Sequence, residues 1–258
     1  MGLRGKISPM SSASPTLIAI ETSTELASVA LWHRGGVISR ESSGAQTHSM
    51  KVPGLIQSLL EEAGLTLAQC EAIAFGCGPG SFTGVRTACG LAQGLAFGAQ
   101  IPVVPVVTLL AMAEQVRSIN AADNLAATDA SAASDVLAVL DARMGEVYWA
   151  QYRYVQGDQG QADWQVVTEP RLSSAAQVEP AGTPALCGNG LLAYAAEMKH
   201  LNALLRLPEV MPHAVNVAKL AVSAVSTGNT LPARDAQPLY LRNKVALTTQ
   251  ERMAGAAT

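Results

Sequence analysis

Residues 76 to 86 read Gly76-Cys77-Gly78-Pro79-Gly80-Ser81-Phe82-Thr83-Gly84-Val85-Arg86, a glycine-rich loop between an apolar strand and a helix. Glycines permit positive φ and close backbone approach, and Ser81 can cap the first turn of the helix. A helix start of this kind offers free N–H groups to an anion, so phosphate cradling is one reading. A tight turn serving helix packing is the other, because the loop lacks the lysine of a P-loop and the G-x-G-x-x-G spacing of a dinucleotide site. Two carboxylates stand at strand ends, Glu21 and Asp141, where they could direct Mg²⁺ beside such a loop. The four histidines, at 33, 48, 200 and 213, form no pair at helical ligand spacing, so no metal site is assigned. Cys70, Cys77, Cys89 and Cys187 show no C-x-x-C spacing and suit reduced thiols in the cytosol.

The helix after the loop carries Gly90, Gly94 and Gly98 at i, i+4 and i+8, one face of nearly bare backbone. Each interior glycine costs about 0.5–1 kcal/mol of helix stability, which calls for a closely approaching element. Residues 87 to 112 carry no charge over a length that could span a bilayer, but Pro102, Pro105, Gln93 and Gln100 interrupt them. A buried strand over 101–107 follows instead, and then a helix over 109–117. Before the loop lie three strands, 16–21, 26–32 and 37–42, and a helix over 48–63 whose apolar stripe is Val52, Leu55, Ile56, Leu59 and Leu60.

Composition changes at 119–135, which are almost wholly Ala, Asn, Asp, Ser and Thr and are expected to form a mobile connection. Residues 1–15 are expected to be a disordered leader without the apolar core of a signal peptide. Past the connection the opening pattern returns, with a strand over 136–141 ending in Asp141, a turn at 142–145, and a strand to Tyr154. Glu21 and Asp141 are 120 residues apart. Strands at 164–167 and 185–187 and helices near 190–205 and 214–226 complete the expectation. The reading is two tandem α/β domains arising by duplication, 16–118 and 136–258. A net charge of −3, with scattered lysines and arginines, does not suit an autonomous nucleic-acid binder.

Two halves that each open with a strand–acid–turn–strand unit resemble the actin-like ATPase superfamily (ASKHA, RNase H-like fold). Four stretches narrow the resemblance: Ile18-Ala19-Ile20-Glu21-Thr22-Ser23-Thr24, Gly78 to Arg86, Leu140-Asp141-Ala142-Arg143-Met144-Gly145-Glu146-Val147-Tyr148, and Pro238-Leu239-Tyr240-Leu241-Arg242. Together they are similar to the TsaB (YeaZ) family over residues 16 to about 245.

That resemblance implies a cytoplasmic, non-catalytic subunit of the bacterial complex that attaches a threonylcarbamoyl group to N6 of adenosine 37 in tRNA. The partner it implies is the transferase TsaD, with the TsaE ATPase in a ternary complex, tRNA met only through the complex, and no membrane. TsaD holds its metal with a His-x-x-x-His pair, and the equivalent stretch here is Thr108-Leu109-Leu110-Ala111-Met112. No cofactor is expected on this chain, ATP being used by the complex. The family packs through two helices, carried here onto residues 48–63 and 81–99, and similar surfaces can pair two copies. The residues expected at the interface are Val52, Leu55, Leu59, Phe82, Val85, Arg86, Gly90, Gly94 and Gly98. The alternative is an independent actin-like ATP-dependent small-molecule kinase using Glu21 and Asp141. Against it, Thr22 and Ser23 put side chains where such kinases have an Asp-x-Gly turn.

Overall fold

Strand β1 (Leu17–Glu21) is apolar on both faces up to its terminal acid and every residue of it is buried, as a central strand requires. In a computed structural model of the 258-residue chain, which describes residues 14–44, 48–122, 134–156 and 162–242, it lies at the middle of a five-stranded sheet. β1 pairs antiparallel with β2 (Leu26–His33), and β2 pairs antiparallel with β3 (Gly36–Ser43). On its other side β1 pairs in parallel with β4 (Ala72–Gly78), and β4 with β5 (Val103–Val107).

The two faces of this sheet differ in side-chain size. Ile18, Ile20, Val29 and Phe75 meet helices α1 (His48–Ala63) and α2 (Phe82–Ala99). Leu17, Ala19, Ala30, Ala72 and Ala74 meet a late helix, α5 (Ala214–Thr227), through Ala214, Val217, Ala218 and Ala221. Alanine against alanine lets that helix lie close on the sheet, while the bulky face fills the wider space under two helices.

The second sheet holds β6 (Asp135–Arg143), β7 (Glu146–Gln156), β8 (Ala162–Ser174), β9 (Ala185–Cys187) and β10 (Arg206–Leu207), in the order β10-β9-β6-β7-β8. β6 is antiparallel to β7 and parallel to β9, β7 is antiparallel to β8, and β9 is parallel to β10. Order and pairing sense repeat those of the first sheet. One face packs on α3 (Thr108–Ala122) through Leu109, Met112, Ala113 and Val116. The other is covered by Val178, Leu191, Met198 and Leu201, with the short helix α4 (Gly190–Ala193). The architecture is mixed α/β with two sheets, and it fits the actin-like fold.

The sequence division at 118 and 136 does not follow the packing. Helix α3 comes from the first half and covers the second sheet, while α5 comes from the second half and covers the first. The expected connection is also shorter than 119–135, since α3 runs to Ala122 and β6 begins at Asp135; residues 123–133 lie outside the described residues, as do residues 1–13 of the expected leader. The expected helix near 190–205 is a single turn followed by further turns. Leu191, Met198 and Leu201 are buried as its periodicity required, but the Arg206 guanidinium donates to the carbonyls of Met198 and Leu201. No helix among the described residues is long and apolar enough to cross a membrane.

Candidate functional site

Glu21 ends the central strand with its side chain wholly buried. Its Oε1 accepts the Ser23 amide at 2.6 Å, and its Oε2 accepts the Thr108 hydroxyl at 3.3 Å. Thr108, the first residue of α3, in turn accepts the Gly78 amide at 3.2 Å, so one hydroxyl joins two strand ends. Burial pushes the Glu21 carboxyl above its ordinary value, against the hydrogen bonds that favour its charged form. Gly76 lies alongside, where any Cβ would collide with Glu21 Oε2. The neighbouring Cys77 thiol is pushed up to about 12 by burial and then by the Glu21 charge, so it stays protonated and unreactive.

The glycine loop closes over the β1–β2 turn. A Cβ on Gly80 would sit 2.6 Å from Ser23 Cβ and 2.7 Å from Ser23 O, and one on Gly84 would collide with the Thr22 carbonyl. Thr22 Oγ1 donates to Gly84 O at 2.7 Å, and the Ser81 amide donates to Ser23 O at 2.7 Å. Ser81 is the N-cap of α2, accepting the Gly84 amide at 3.4 Å, as its position in the sequence indicates. Two amides that an anion would use are thereby engaged, and Thr22 and Ser23 fill the corner itself. Of the two readings of the loop, tight packing describes it.

The second sheet repeats the pattern in a form the sequence reading overlooked. Cys77-Gly78-Pro79-Gly80 after β4 has a counterpart in Cys187-Gly188-Asn189-Gly190 after β9, and Gly78 and Gly188 share a left-handed backbone at φ 108° and 104°. A repeated Cys-Gly-x-Gly was the signal available. Asn189 Oδ1 accepts the Asp141 amide at 3.0 Å. Asp141 Oδ1 accepts the Arg143 amide at 2.7 Å and the Tyr194 hydroxyl at 3.0 Å. Arg143 reaches back at 3.6 Å to Glu25, beside the first corner, so the β6–β7 turn of one half touches the β1–β2 turn of the other.

A segment of extended chain bridges them. The Leu239 amide donates to Cys77 O at 2.7 Å, and Arg242 donates to Ala142 O at 3.1 Å and pairs with Glu146 in the β6–β7 hairpin. Between them the Tyr240 hydroxyl accepts from Arg86 Nε at 2.7 Å. Thr108 and Met112, at the positions of the His-x-x-x-His pair, are both fully buried, the first bonded to Glu21 and Gly78 and the second against the backbone at Gly188. Thr and Met do not replace two imidazoles for a hard or borderline metal. Among the described residues no group of three or more His, Cys, Asp or Glu side chains comes together to hold a metal ion.

The residues expected at a partner interface divide sharply. Val52, Leu59 and Val85 are at most 2% exposed and belong to the core under the first sheet, a correction: a helix on a sheet must bury one stripe, and these residues are that stripe. Leu55 is half-buried against the same core. Phe82, Arg86, Gly90, Gly94 and Gly98 are exposed, and a Cβ on any of the three glycines would meet nothing within 4 Å. The bare face of α2 therefore points outward. Phe97, 77% exposed at the far end of that face, was missed, although it stands seven residues after Gly90.

The sequence model of the family described as TsaD, tRNA N6-adenosine threonylcarbamoyltransferase, matches residues 23–185. The tRNA threonylcarbamoyladenosine biosynthesis protein TsaB of Escherichia coli (strain K12) is 37% identical over 232 residues, 89% of this chain and 96% of that protein. Its namesake in Haemophilus influenzae is 37% identical over 236 residues, 89% of this chain and 94% of that one. The solved structure of YeaZ from Pseudomonas aeruginosa is similar with a TM-score of 0.74 at 35% identity, covering 88% of this chain and 100% of that one. With likeness over nearly the whole length of both sequence relatives and of that fold, the chain belongs to the TsaB (YeaZ) family.

Proposed function

We propose that this chain is a non-catalytic subunit in the synthesis of N6-threonylcarbamoyladenosine at position 37 of tRNA, where it binds and activates the transferase TsaD. The observation that carries this reading is the exposed glycine face of α2. Among the described residues a Cβ on Gly90, Gly94 or Gly98 would meet nothing within 4 Å, yet each glycine costs the helix about 1 kcal/mol relative to alanine. A partner helix lying close on that face offsets the cost. The name of the relatives gives the pathway, and the filled corner at Thr22, Ser23 and Gly84 supports a role without chemistry of its own.

On this reading the chain carries no cofactor, and ATP is consumed elsewhere in the complex, by TsaE in the ternary assembly. tRNA is met through the complex, in keeping with a net charge of −3. The place of work is the cytoplasm, and a second copy can occupy the same face when TsaD is absent. The shared strand order of the two sheets and the two Cys-Gly-x-Gly turns support an origin by duplication. The kinase reading gains nothing from a corner packed with its own side chains.

The test is Gly94→Leu. A leucine there stands in open space in the free chain and adds helix propensity, so thermal unfolding is expected to be unchanged or slightly later. Overpacking against a partner costs about 1–3 kcal/mol, and about 1.4 kcal/mol is tenfold in affinity, so TsaD binding should weaken tenfold or more. Formation of the modified nucleoside by TsaD should need the wild-type chain and fail with the variant. Full activity of TsaD without this chain, or turnover of ATP by this chain alone, would overturn the reading.

A further inference from the structure

Between Glu71 and Glu114 the sequence holds one charged residue, Arg86. It lies on the exposed side of α2, one turn before the first exposed glycine. Its guanidinium carbon stands 3.6 Å from the centroid of the Phe82 ring and 5.5 Å from that of Tyr240, and its Nε donates to the Tyr240 hydroxyl. The two rings lie 6.0 Å apart and are 43% and 46% exposed. No carboxylate lies within ion-pair distance of Arg86 among the described residues. The first turn of α2 contains no acid to balance its helix dipole either.

We propose that Phe82, Arg86 and Tyr240 form a preorganised anchor for a carboxylate on the helix of the partner that docks along α2; this rests on the docking of TsaD argued above. Charge complementarity selects the occupant. A lone cation stacked on a ring, at the end of a flat uncharged face, is matched by one acid on an otherwise small or apolar helix. A nucleic-acid backbone would call for several cations, and residues 72–113 supply one. Arginine with exposed aromatic neighbours is also the side-chain set that dominates binding energy at protein interfaces.

Tyr240 acts here as a positioning residue. It comes from 154 residues away, and its strand-like segment is fixed on either side by the Leu239 bond to Cys77 and the Arg242 contacts with the β6–β7 hairpin. Holding the guanidinium before the partner arrives reduces the ordering cost of docking. The extended chain that joins the two halves thus also shapes the docking surface.

The experiment measures TsaD affinity at two salt concentrations, with thermal unfolding on the same preparations, for the wild type, Arg86→Glu, Arg86→Lys, Tyr240→Phe and Gly94→Leu. Arg86→Glu is expected to weaken binding about thirtyfold, the loss typical of a hot-spot arginine, and to flatten the salt dependence while leaving unfolding unchanged. Arg86→Lys should lose less, keeping the charge but not the stacked planar fork, and Tyr240→Phe about threefold. Arg86→Glu that binds like the wild type while Gly94→Leu fails would remove the anchor and leave the docking face intact. A wild-type chain that does not bind TsaD would remove both. Loss of tRNA binding by the isolated chain, with TsaD affinity unchanged, would assign Arg86 to nucleic acid and overturn the proposal.

Discussion

At the end of β1 the Glu21 carboxylate is wholly buried, hydrogen-bonded by Ser23 and Thr108 and pressed on Gly76, whereas at the end of β6 Asp141 answers to an arginine whose own side chain is 76% exposed. Glu21 closes its central strand while Asp141 stands two residues before the end of β6, at a register shift, and both sit near a Cys-Gly-x-Gly turn in sheets of the same order. The difference lies in the turn that follows each acid. Thr22 and Ser23 fold inward and are clasped by Gly80 and Gly84. Arg143 to Gly145 instead project outward, all three at positive φ and Met144 66% exposed. One acid has thus become wholly part of the core, while its counterpart, with a side chain 9% exposed, sits under a turn that solvent reaches and that Arg242 and Glu146 hold. A shared topology does not fix what a strand end does; the residues directly after it do.

The contrast breaks most visibly at the glycines. Gly84→Ala would drive a methyl into the Thr22 carbonyl, backbone against backbone, and is expected to cost about 3 kcal/mol, read as a fall in urea midpoint. Gly145→Ala, in open space at φ 78°, should cost only about 1 kcal/mol for its left-handed backbone. Equal losses would mean that the first turn is not clasped as described. Next in size is Arg242→Ala, which removes a charged donor that is 18% exposed and frees the β6–β7 hairpin from the bridging segment. A loss of about 1–2 kcal/mol is expected, with faster amide hydrogen exchange at residues 142–146 and no change at 21–25.

The inward corner was partly legible. The apolar run into Glu21, the glycine loop and the Ser81 cap are local signals, and each element stands where its pattern put it. What escaped was long-range. No periodicity says that α3 crosses to the second sheet and α5 returns to the first, because an amphipathic stripe shows that a face is buried but not what covers it. For that reason Val52, Leu59 and Val85 were assigned to a partner and turned out to be core. The glycine spacing marked a face of α2 for close approach but left open whether its own sheet or a partner approaches it, since Gly80 and Gly84 show glycine serving close packing inside this same chain. Tyr240 was legible only as part of a motif; its bond to Arg86 spans 154 residues.

Amide replacements at the two acids sharpen the comparison further. Burial raises the Glu21 carboxyl, so the folded chain binds that proton more tightly than the unfolded one. The stabilisation is complete below the unfolded value and is lost as pH rises through the folded one, which makes ionised Glu21 a cost at neutral pH. Glu21→Gln cannot titrate, so its stability relative to the wild type should improve as pH rises above the ordinary carboxylate range, measured by urea unfolding along a pH series. Parallel pH curves for the two proteins would contradict a protonation cost at this corner.

The smallest effect is expected at the outward corner. Asp141→Asn keeps an Oδ1 that can accept both the Arg143 amide and the Tyr194 hydroxyl, and it leaves the Asp141 amide bonded to Asn189. What it loses is the charge facing the Arg143 guanidinium, which is 76% exposed although the Asp141 side chain is only 9% exposed. With both hydrogen bonds kept and the guanidinium in solvent, the loss should stay below about 1 kcal/mol, a small shift in urea midpoint. A loss above about 2 kcal/mol at Asp141 would show the second acid to be as deeply built in as the first, because a carboxylate enclosed that far leaves its partners unsatisfied when its charge is removed.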